Sequence, residues 1–360
     1  MRFLNAITAW FIGASLMGGV LTADPASAGP ALLFEPGTGK VLYAEDMDSQ
    51  WHPASLTKIM TAYIVFEDLK AGRIKLDTKI TCTERAYQEP PSKVGLPVGA
   101  EMTIDTALKS LIVKSANDVA VMLAEELGPT YDQFIKRMNA TAKRLGMTRT
   151  HFANANGLPD SAQVTTARDL AKLSRAVVTD FPEYASYWSM PAFQLGQQRL
   201  TSHNTLLTSF EGADGLKTGF ICDSGFNVVA SATRDGRQLM AVVLGEPSSK
   251  DRTIRAASLL EHGFRNYGWK ELFNTASIDS LPIAEAAKGP RSVRHTVTSW
   301  SCGNRSEAKK LRAAKVKVKQ AKATRAKSAP KTKTQPETQA KSQPSAEAPG
   351  ATGAQSGGTN

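Results

Sequence analysis

The sequence is poor in the residues that most often announce a chemistry. Its 360 residues include only three cysteines and five histidines. The histidines (His52, His151, His203, His262 and His295) are scattered, with no His-Glu-x-x-His spacing. That disfavours a metalloenzyme, and each reads as a surface or hydrogen-bonding side chain. The cysteines (Cys82, Cys222 and Cys302) are odd in number, which excludes a disulfide framework. One bridge in an oxidising compartment and a set of small buried apolar side chains both fit, and the sequence does not choose a pair. There is no internal repeat. Beyond residues 3–23 no apolar run is long enough to cross a bilayer, so a multi-span membrane protein is excluded. What is there, 41% hydrophobic and 21% charged residues, is enough for one large domain or two moderate ones.

The charge is not spread over the chain. From Arg305 to Asn360 there are 13 basic residues against three glutamates, so nearly all of the +11 net charge lies there. Residues 306–327 have the composition of a basic helix. From Ser328 onward Pro, Thr, Gln, Ser and Gly dominate without apolar periodicity, which reads as a disordered tail. Such a tail suits either a solvated end or an electrostatic contact with an anionic surface. At the other end Arg2 is followed by an uncharged stretch, Phe3 to Ala23, and then Pro25-Ala26-Ser27-Ala28-Gly29. This pattern reads as a secretory signal peptide cut after Ala28; an uncleaved anchor is the alternative, weakened by Asn5, Thr8, Ser15 and three glycines. The expected organisation is therefore residues 1–28 as signal, 29–270 as catalytic domain, 271–304 as a short extension and 305–360 as basic tail. Export to the periplasm or cell envelope removes nucleic acid as an expected partner.

Within the body, Ala31–Phe34 and Lys40–Ala44 read as a hairpin around Pro36-Gly37-Thr38-Gly39. Ser55–Leu69 carries Leu56, Ile59, Met60, Tyr63 and Ile64 at helical spacing behind Pro53. Thr103–Val113, Asp118–Leu127, Tyr131–Gly146 and Thr166–Thr179 read as four more helices, so the middle is expected to be all-helical. Phe226–Thr233 and Gln238–Gly245 are β-type runs joined by Arg234-Asp235-Gly236-Arg237, and Asp251–Tyr267 reads as a closing helix. Strands first and last with helices between predict an α+β fold, an antiparallel sheet with an inserted helical region.

Three short patterns could carry chemistry. Ser55-Leu56-Thr57-Lys58 puts a hydroxyl and an amine one turn apart at a helix start. A lysine desolvated or placed near another cation can take a serine's proton, and the N–H groups of a helix start favour a developing oxyanion. The pattern is cheap, however. It recurs at Ser306–Lys309 and Ser328–Lys331, and a helix-capping serine would explain Ser55 as well. Ser115-Ala116-Asn117 offers a second hydroxyl and an amide between two helices. Ser115 with Asp118 also matches a capping box, and Ser202–Asn204 repeats the serine-x-asparagine pattern. Lys217-Thr218-Gly219 opens a late strand, with a glycine that marks a close backbone approach; an edge-strand lysine is the plainer alternative.

The order of the three, and the longer strings around them, resemble one family. Pro53-Ala54-Ser55-Leu56-Thr57-Lys58-Ile59-Met60-Thr61, Lys114-Ser115-Ala116-Asn117-Asp118-Val119-Ala120 and Asp214-Gly215-Leu216-Lys217-Thr218-Gly219-Phe220, the last running into Gly225-Phe226-Asn227-Val228-Val229-Ala230, are similar to the low-molecular-mass penicillin-binding proteins, the serine D-alanyl-D-alanine carboxypeptidases. The resemblance covers roughly Pro30 to Trp269. It implies the β-lactamase/DD-peptidase-like fold, an antiparallel sheet flanked by helices with an inserted helical subdomain. It implies that Ser55 attacks the carbonyl between two terminal D-alanines, that Lys58 takes the hydroxyl proton and that Ser115 passes one to the departing D-alanine. The backbone N–H groups of Ser55 and Phe220 would form the oxyanion hole. Asn117 would hydrogen-bond the substrate, and Lys217, Thr218 and Gly219 would line the carboxylate end. Peptidoglycan stem peptides would be the substrates and β-lactams covalent inhibitors, with no cofactor and no metal.

Two departures stand out. Some relatives have an arginine where this chain has His203, so either His203 or Arg252 is the candidate for holding the terminal carboxylate. Several relatives also carry a β-rich C-terminal domain and a membrane anchor, for which residues 271–304 leave little room. Rival functions are a D,D-endopeptidase cutting cross-links, a non-catalytic wall-binding protein and a class A β-lactamase; the last would set its deacylating glutamate in Glu-x-x-x-Asn, and no Glu here has Asn four positions later.

Overall fold

A computed structural model describes residues 29–268, 276–284, 289–299 and 302. The chain divides into two units, Met1–Ala308 and Lys309–Asn360, and every described residue belongs to the first. The signal segment 1–28 and the basic tail 305–360 lie outside the described residues. Among those described, no helix is long and apolar enough to cross a membrane.

The strands are β1 (Ala31–Phe34), β2 (Val41–Glu45), β3 (Lys79–Thr81), β4 (Glu101–Thr103), β5 (Ala192–Leu195), β6 (Gln198–Thr201), β7 (Ala213–Ile221), β8 (Gly225–Arg234) and β9 (Arg237–Glu246). The helices are α1 (Lys58–Lys70), α2 (Glu84–Gln88), α3 (Ile104–Lys109), α4 (Asn117–Leu127), α5 (Tyr131–Arg144), α6 (Ala167–Asp180), α7 (Ala185–Trp188), α8 (Leu206–Ser209) and α9 (Ser249–Asn266). Five strands form one antiparallel sheet in the order β2-β1-β9-β8-β7. The first two strands thus join the last three, as the α+β reading requires.

The period of two decides which side of the sheet each residue serves. Val228, Ala230 and Ala232 of β8 and Leu239, Ala241 and Val243 of β9 bury against Ala256 and Leu260 of α9. The alternate residues Val229, Met240, Val242 and Leu244 face the opposite layer with Ile59, Tyr63 and the other helices. Central strands covered on both faces therefore read as near-continuous apolar runs. The β8–β9 turn is the one its sequence demands: Asp235 and Gly236 both have positive φ (50° and 74°), the left-handed pair of a tight hairpin.

Helix α1 is buried on nearly every side, from Lys58 through Phe66, which places it at the centre of the helical layer. It is preceded by a 3-10 turn, Ala54–Thr57, so Ser55 lies just ahead of the α-helix proper. Helix α3 loosens into a π-turn over Ser110–Lys114, and the chain leaves it at Ser115 with φ 60°. Side-chain caps fix several other starts: Thr130 on α5, Thr166 on α6 and Ser248 on α9 each accept the N–H three residues on.

The expectation of an all-helical middle is corrected. Two antiparallel ribbons, β3–β4 and β5–β6, interrupt it. Their strands of three and four residues are too short to show a period of two. Residues after α9 pack back onto the body: Ile278 is buried, Ser277 bridges to Lys40, and Arg168 donates to the carbonyls of Ile278, Leu281 and Pro282 while paired with Asp48. The one bridge is Cys222–Cys302, and Cys82 is a free, buried thiol.

Candidate active site

The three sequence patterns converge on one cleft of about 430 Å³ between the edge strand β7 and the helical layer. Ser55, Ser115, Asn117, His203, Thr218, Gly219, Phe220 and Arg252 line it. Lys58 and Lys217 are buried behind them. Neither tail copy of the serine-x-x-lysine pattern lies among the described residues. The second serine-x-asparagine is structural: Asn204 is buried and donates to the Gly215 carbonyl.

Ser55 is not a cap. Its 3-10 turn has Pro53 at the N-cap and no side-chain cap. The Ser55 Oγ lies 3.0 Å from Lys58 Nζ, which also reaches Asn117 Oδ1 at 2.8 Å and the Asn156 carbonyl at 2.5 Å. Burial, and then the Lys217 charge, hold the Lys58 amine well below its ordinary pKa, against the opposing pull of Glu89 and Asp118. A neutral amine has two N–H groups and one lone pair. The two carbonyl oxygens can only accept, so they take the N–H groups. The Ser55 hydroxyl is the one partner able to donate, and the lone pair is left facing its proton. The arrangement therefore suits Lys58 as the base that takes that proton.

Ser115 is not a capping serine either; the α4 N-cap is Ala116, and the Asp118 carboxylate accepts the N–H groups of Val94, Gly95 and Val119. The left-handed backbone at Ser115 turns its Oγ to accept from Lys217 Nζ at 2.9 Å. Asn117 gives Oδ1 to Lys58 and one N–H to the Pro90 carbonyl, which leaves its second N–H for a ligand.

Lys217 sits on the edge strand, as the plainer alternative had it, yet is only 2% exposed. Burial and then the neighbouring Arg252 lower it to about 7. Arg252, in the first turn of α9, is also buried and lowered to about 10 by desolvation. Its guanidinium donates to the His203 carbonyl and to Ser249 Oγ and lies over the Phe226 ring, which stacks on Phe220. Among the described residues no carboxylate pairs with Lys217 or Arg252, so this end of the cleft is an unneutralised cationic pocket. His203 is exposed at the rim. Partial desolvation on the side of the ring that lines the cleft, and then Lys217, Lys114 and Arg252, lower it to about 4, so it is a neutral imidazole near pH 7.

Gly219 is fixed by close approach. A Cβ there would meet the Pro53 carbonyl at 2.8 Å and the Ser55 N at 3.0 Å. Only glycine lets β7 lie against the turn that carries Ser55. Asn227 braces the same turn, donating to the carbonyls of His52 and Pro53.

The sequence reading missed three contributors: Asn156, Gly157 at the cleft wall and the Glu89–Ser92 segment. The dipeptide Asn156-Gly157 alone left a signal, that of a turn, and the structure gives Gly157 a φ of 84° with its Cα against the Ala54 carbonyl.

The chain is similar to known proteins in sequence and in fold. The profile of the D-alanyl-D-alanine carboxypeptidase family matches residues 20–248. The D-alanyl-D-alanine carboxypeptidase DacC of Escherichia coli (strain K12) is 36% identical over 241 residues, which is 65% of this chain and 60% of that protein. Among solved structures, penicillin binding protein 6B from Escherichia coli is 36% identical with a TM-score of 0.64, over 66% of this chain and 77% of that one. Penicillin-Binding Protein D2 from Listeria monocytogenes, in its cefotaxime-bound form, is 31% identical with a TM-score of 0.60, over 66% and 97%. This chain thus spans less than two thirds of DacC. The match takes in all three sequence patterns and ends just before α9, and the chain belongs to the D-alanyl-D-alanine carboxypeptidase family.

Proposed function

We propose that the protein is an exported serine D-Ala-D-Ala carboxypeptidase that trims peptidoglycan pentapeptides through an acyl-enzyme. The observation that carries the reading is the Lys58 amine, 3.0 Å from Ser55 Oγ and held by two acceptor-only oxygens, an arrangement that leaves the lone pair of the neutral amine for the Ser55 proton. Ser55 Oγ bonds to the carbonyl carbon between the last two residues as its proton passes to Lys58. The backbone N–H groups of Ser55 and Phe220 hold the developing oxyanion; one such donor contributes about 2.7–4 kcal/mol. The C–N bond then breaks as Ser115 gives its hydroxyl proton to the departing D-alanine amine and takes up the proton held by Lys58, which returns to the neutral amine. Water then bonds to the acyl carbon as Lys58 takes its proton, the bond from the acyl carbon to Ser55 Oγ breaks, and the proton on Lys58 passes to Ser55 Oγ.

Lys217, Thr218 and Arg252 receive the terminal carboxylate. Arg252 is assigned this role rather than His203, because a neutral imidazole among three cations is a poor anion partner, whereas a buried guanidinium without a carboxylate is a strong one. Asn117 donates its remaining N–H to the substrate backbone. β-Lactams, which the cefotaxime-bound Listeria protein holds, acylate Ser55 here. The basic tail 305–360 contacts an anionic surface of the envelope.

The test is mass spectrometry of muropeptides incubated with the protein and with its Ser55→Ala variant. Loss of one D-alanine from pentapeptide monomers, dependent on Ser55, is expected. Cleavage of cross-linked dimers with monomers untouched would replace the reading with an endopeptidase, and no change in either would replace it with a wall-binding protein.

A further inference from the structure

One charged residue facing Lys58 belongs to none of the three motifs. Glu89 closes helix α2 and is half-buried, and it does not line the cleft. Its Oε2 accepts from Asn156 Nδ2 at 2.9 Å, and the Asn156 carbonyl accepts a Lys58 N–H. One residue on, the Pro90 carbonyl accepts from Asn117, whose Oδ1 takes the other Lys58 N–H. Both oxygens that orient the Lys58 amine are thus fastened to the Glu89–Pro90 segment.

The charges around Lys58 are few. Lys217 opposes its protonation, and Glu89 and Asp118 favour it. The Asp118 carboxylate is already occupied by three backbone N–H groups. Glu89 receives the Asn156 amide, with Arg85, Asp118 and Lys58 as its charged neighbours. Desolvation raises the Glu89 carboxyl above its ordinary range, and a poorly hydrated carboxylate interacts strongly with a nearby cation. When the Ser55 proton reaches Lys58, a positive charge forms in a site with no exposure to water, beside a second lysine. A buried charge without a partner is costly.

We propose that Glu89 is a positioning residue for the acyl transfer, its carboxylate holding Asn156 in place and supplying the counter-charge for the ammonium that forms on Lys58. The inference rests on the proposed function and deepens it. The proton moves from the Ser55 hydroxyl to the Lys58 lone pair as the Ser55 oxygen bonds to the acyl carbon, and Glu89 itself takes no proton.

The experiment measures acylation by a fluorescent penicillin from pH 5 to 9 for the wild type, Glu89→Gln and Glu89→Asp, with a thermal melt of each. In Glu89→Gln the Lys58 amine loses its counter-charge and becomes a weaker base. The acid limb should move down by about one pH unit while the plateau falls about three- to tenfold. Glu89→Asp keeps the charge and should keep the wild-type acid limb. The position of that limb does not depend on the fraction of active protein, so a lowered melting temperature cannot imitate the shift. A wild-type acid limb in Glu89→Gln would overturn the role of Glu89 alone; a wild type that is never acylated would overturn it together with the proposed function.

Discussion

Two buried lysines lie on either side of the cleft, and they are not equivalent. Lys58 is enclosed by oxygens that accept its N–H groups, with two carboxylates within electrostatic reach. Lys217 has one hydroxyl, one main-chain carbonyl and a guanidinium for neighbours. Both are lowered by desolvation first, yet the surroundings assign opposite duties. The first pocket can accommodate a proton that arrives and leaves. The second holds positive charge that nothing in the described protein neutralises, and waits for an anion. The residue type does not set the role; the partners do.

Four substitutions break or sharpen that contrast, in decreasing order of expected effect. Lys58→Arg keeps a cation in the first pocket but removes the base, since a guanidinium stays protonated. Acylation by a fluorescent penicillin should fall about 10³-fold or more, and retention of even a tenth of the rate would contradict the assignment. Lys217→Ala should lower kcat/KM on a peptide ending in a free D-alanine carboxylate by about 10–100-fold, the value of a charge-assisted hydrogen bond. The same variant should lose the preference for that peptide over its carboxamide.

Arg252→Gln should act about tenfold more weakly than the wild type on the same peptide, and it should also move a pH limb. Lys217 titrates at about 7, so it binds an anion when protonated below that pH and loses the charge as pH rises through it. The basic limb of kcat/KM therefore belongs near 7. Removing the Arg252 cation relieves the repulsion on Lys217 and should shift that limb upward; a downward shift would show that Arg252 is not its controlling neighbour. His203→Gln is the smallest change. Its imidazole titrates at about 4, so it is neutral on both sides of pH 7, and the profile from pH 5.5 to 8 should keep its shape with rates within about twofold.

The three patterns that meet at the cleft, around Ser55, Ser115 and Lys217, could be read from the sequence because each is a local string, and the string is also what folds: a proline-led helical turn, a small-residue helix junction, a glycine against a backbone. The sheet was legible for a similar reason, since β8, β9 and their Asp235-Gly236 turn are long enough to carry their own signal. What escaped is what no single string contains. Asn156 and Glu89 come from loops separated in sequence from Lys58 by 98 and 31 positions, and their partner atoms include main-chain carbonyls, which have no residue identity. The ribbons β3–β4 and β5–β6 carry too few residues for a period. The pairing of Cys222 with Cys302, rather than with Cys82, follows from how the chain returns after α9.

That return has a consequence in time as well as in space. Cys222 comes directly after the last residue of the strand that forms one wall of the cleft, and its partner lies 80 residues further along. A growing chain that has produced all three motifs still lacks the half-cystine that ties this wall to the body. The brace on the catalytic strand closes only after residue 302 has been delivered to a place where thiols oxidise, so the last part of the folded body to be made is the one that secures its working edge.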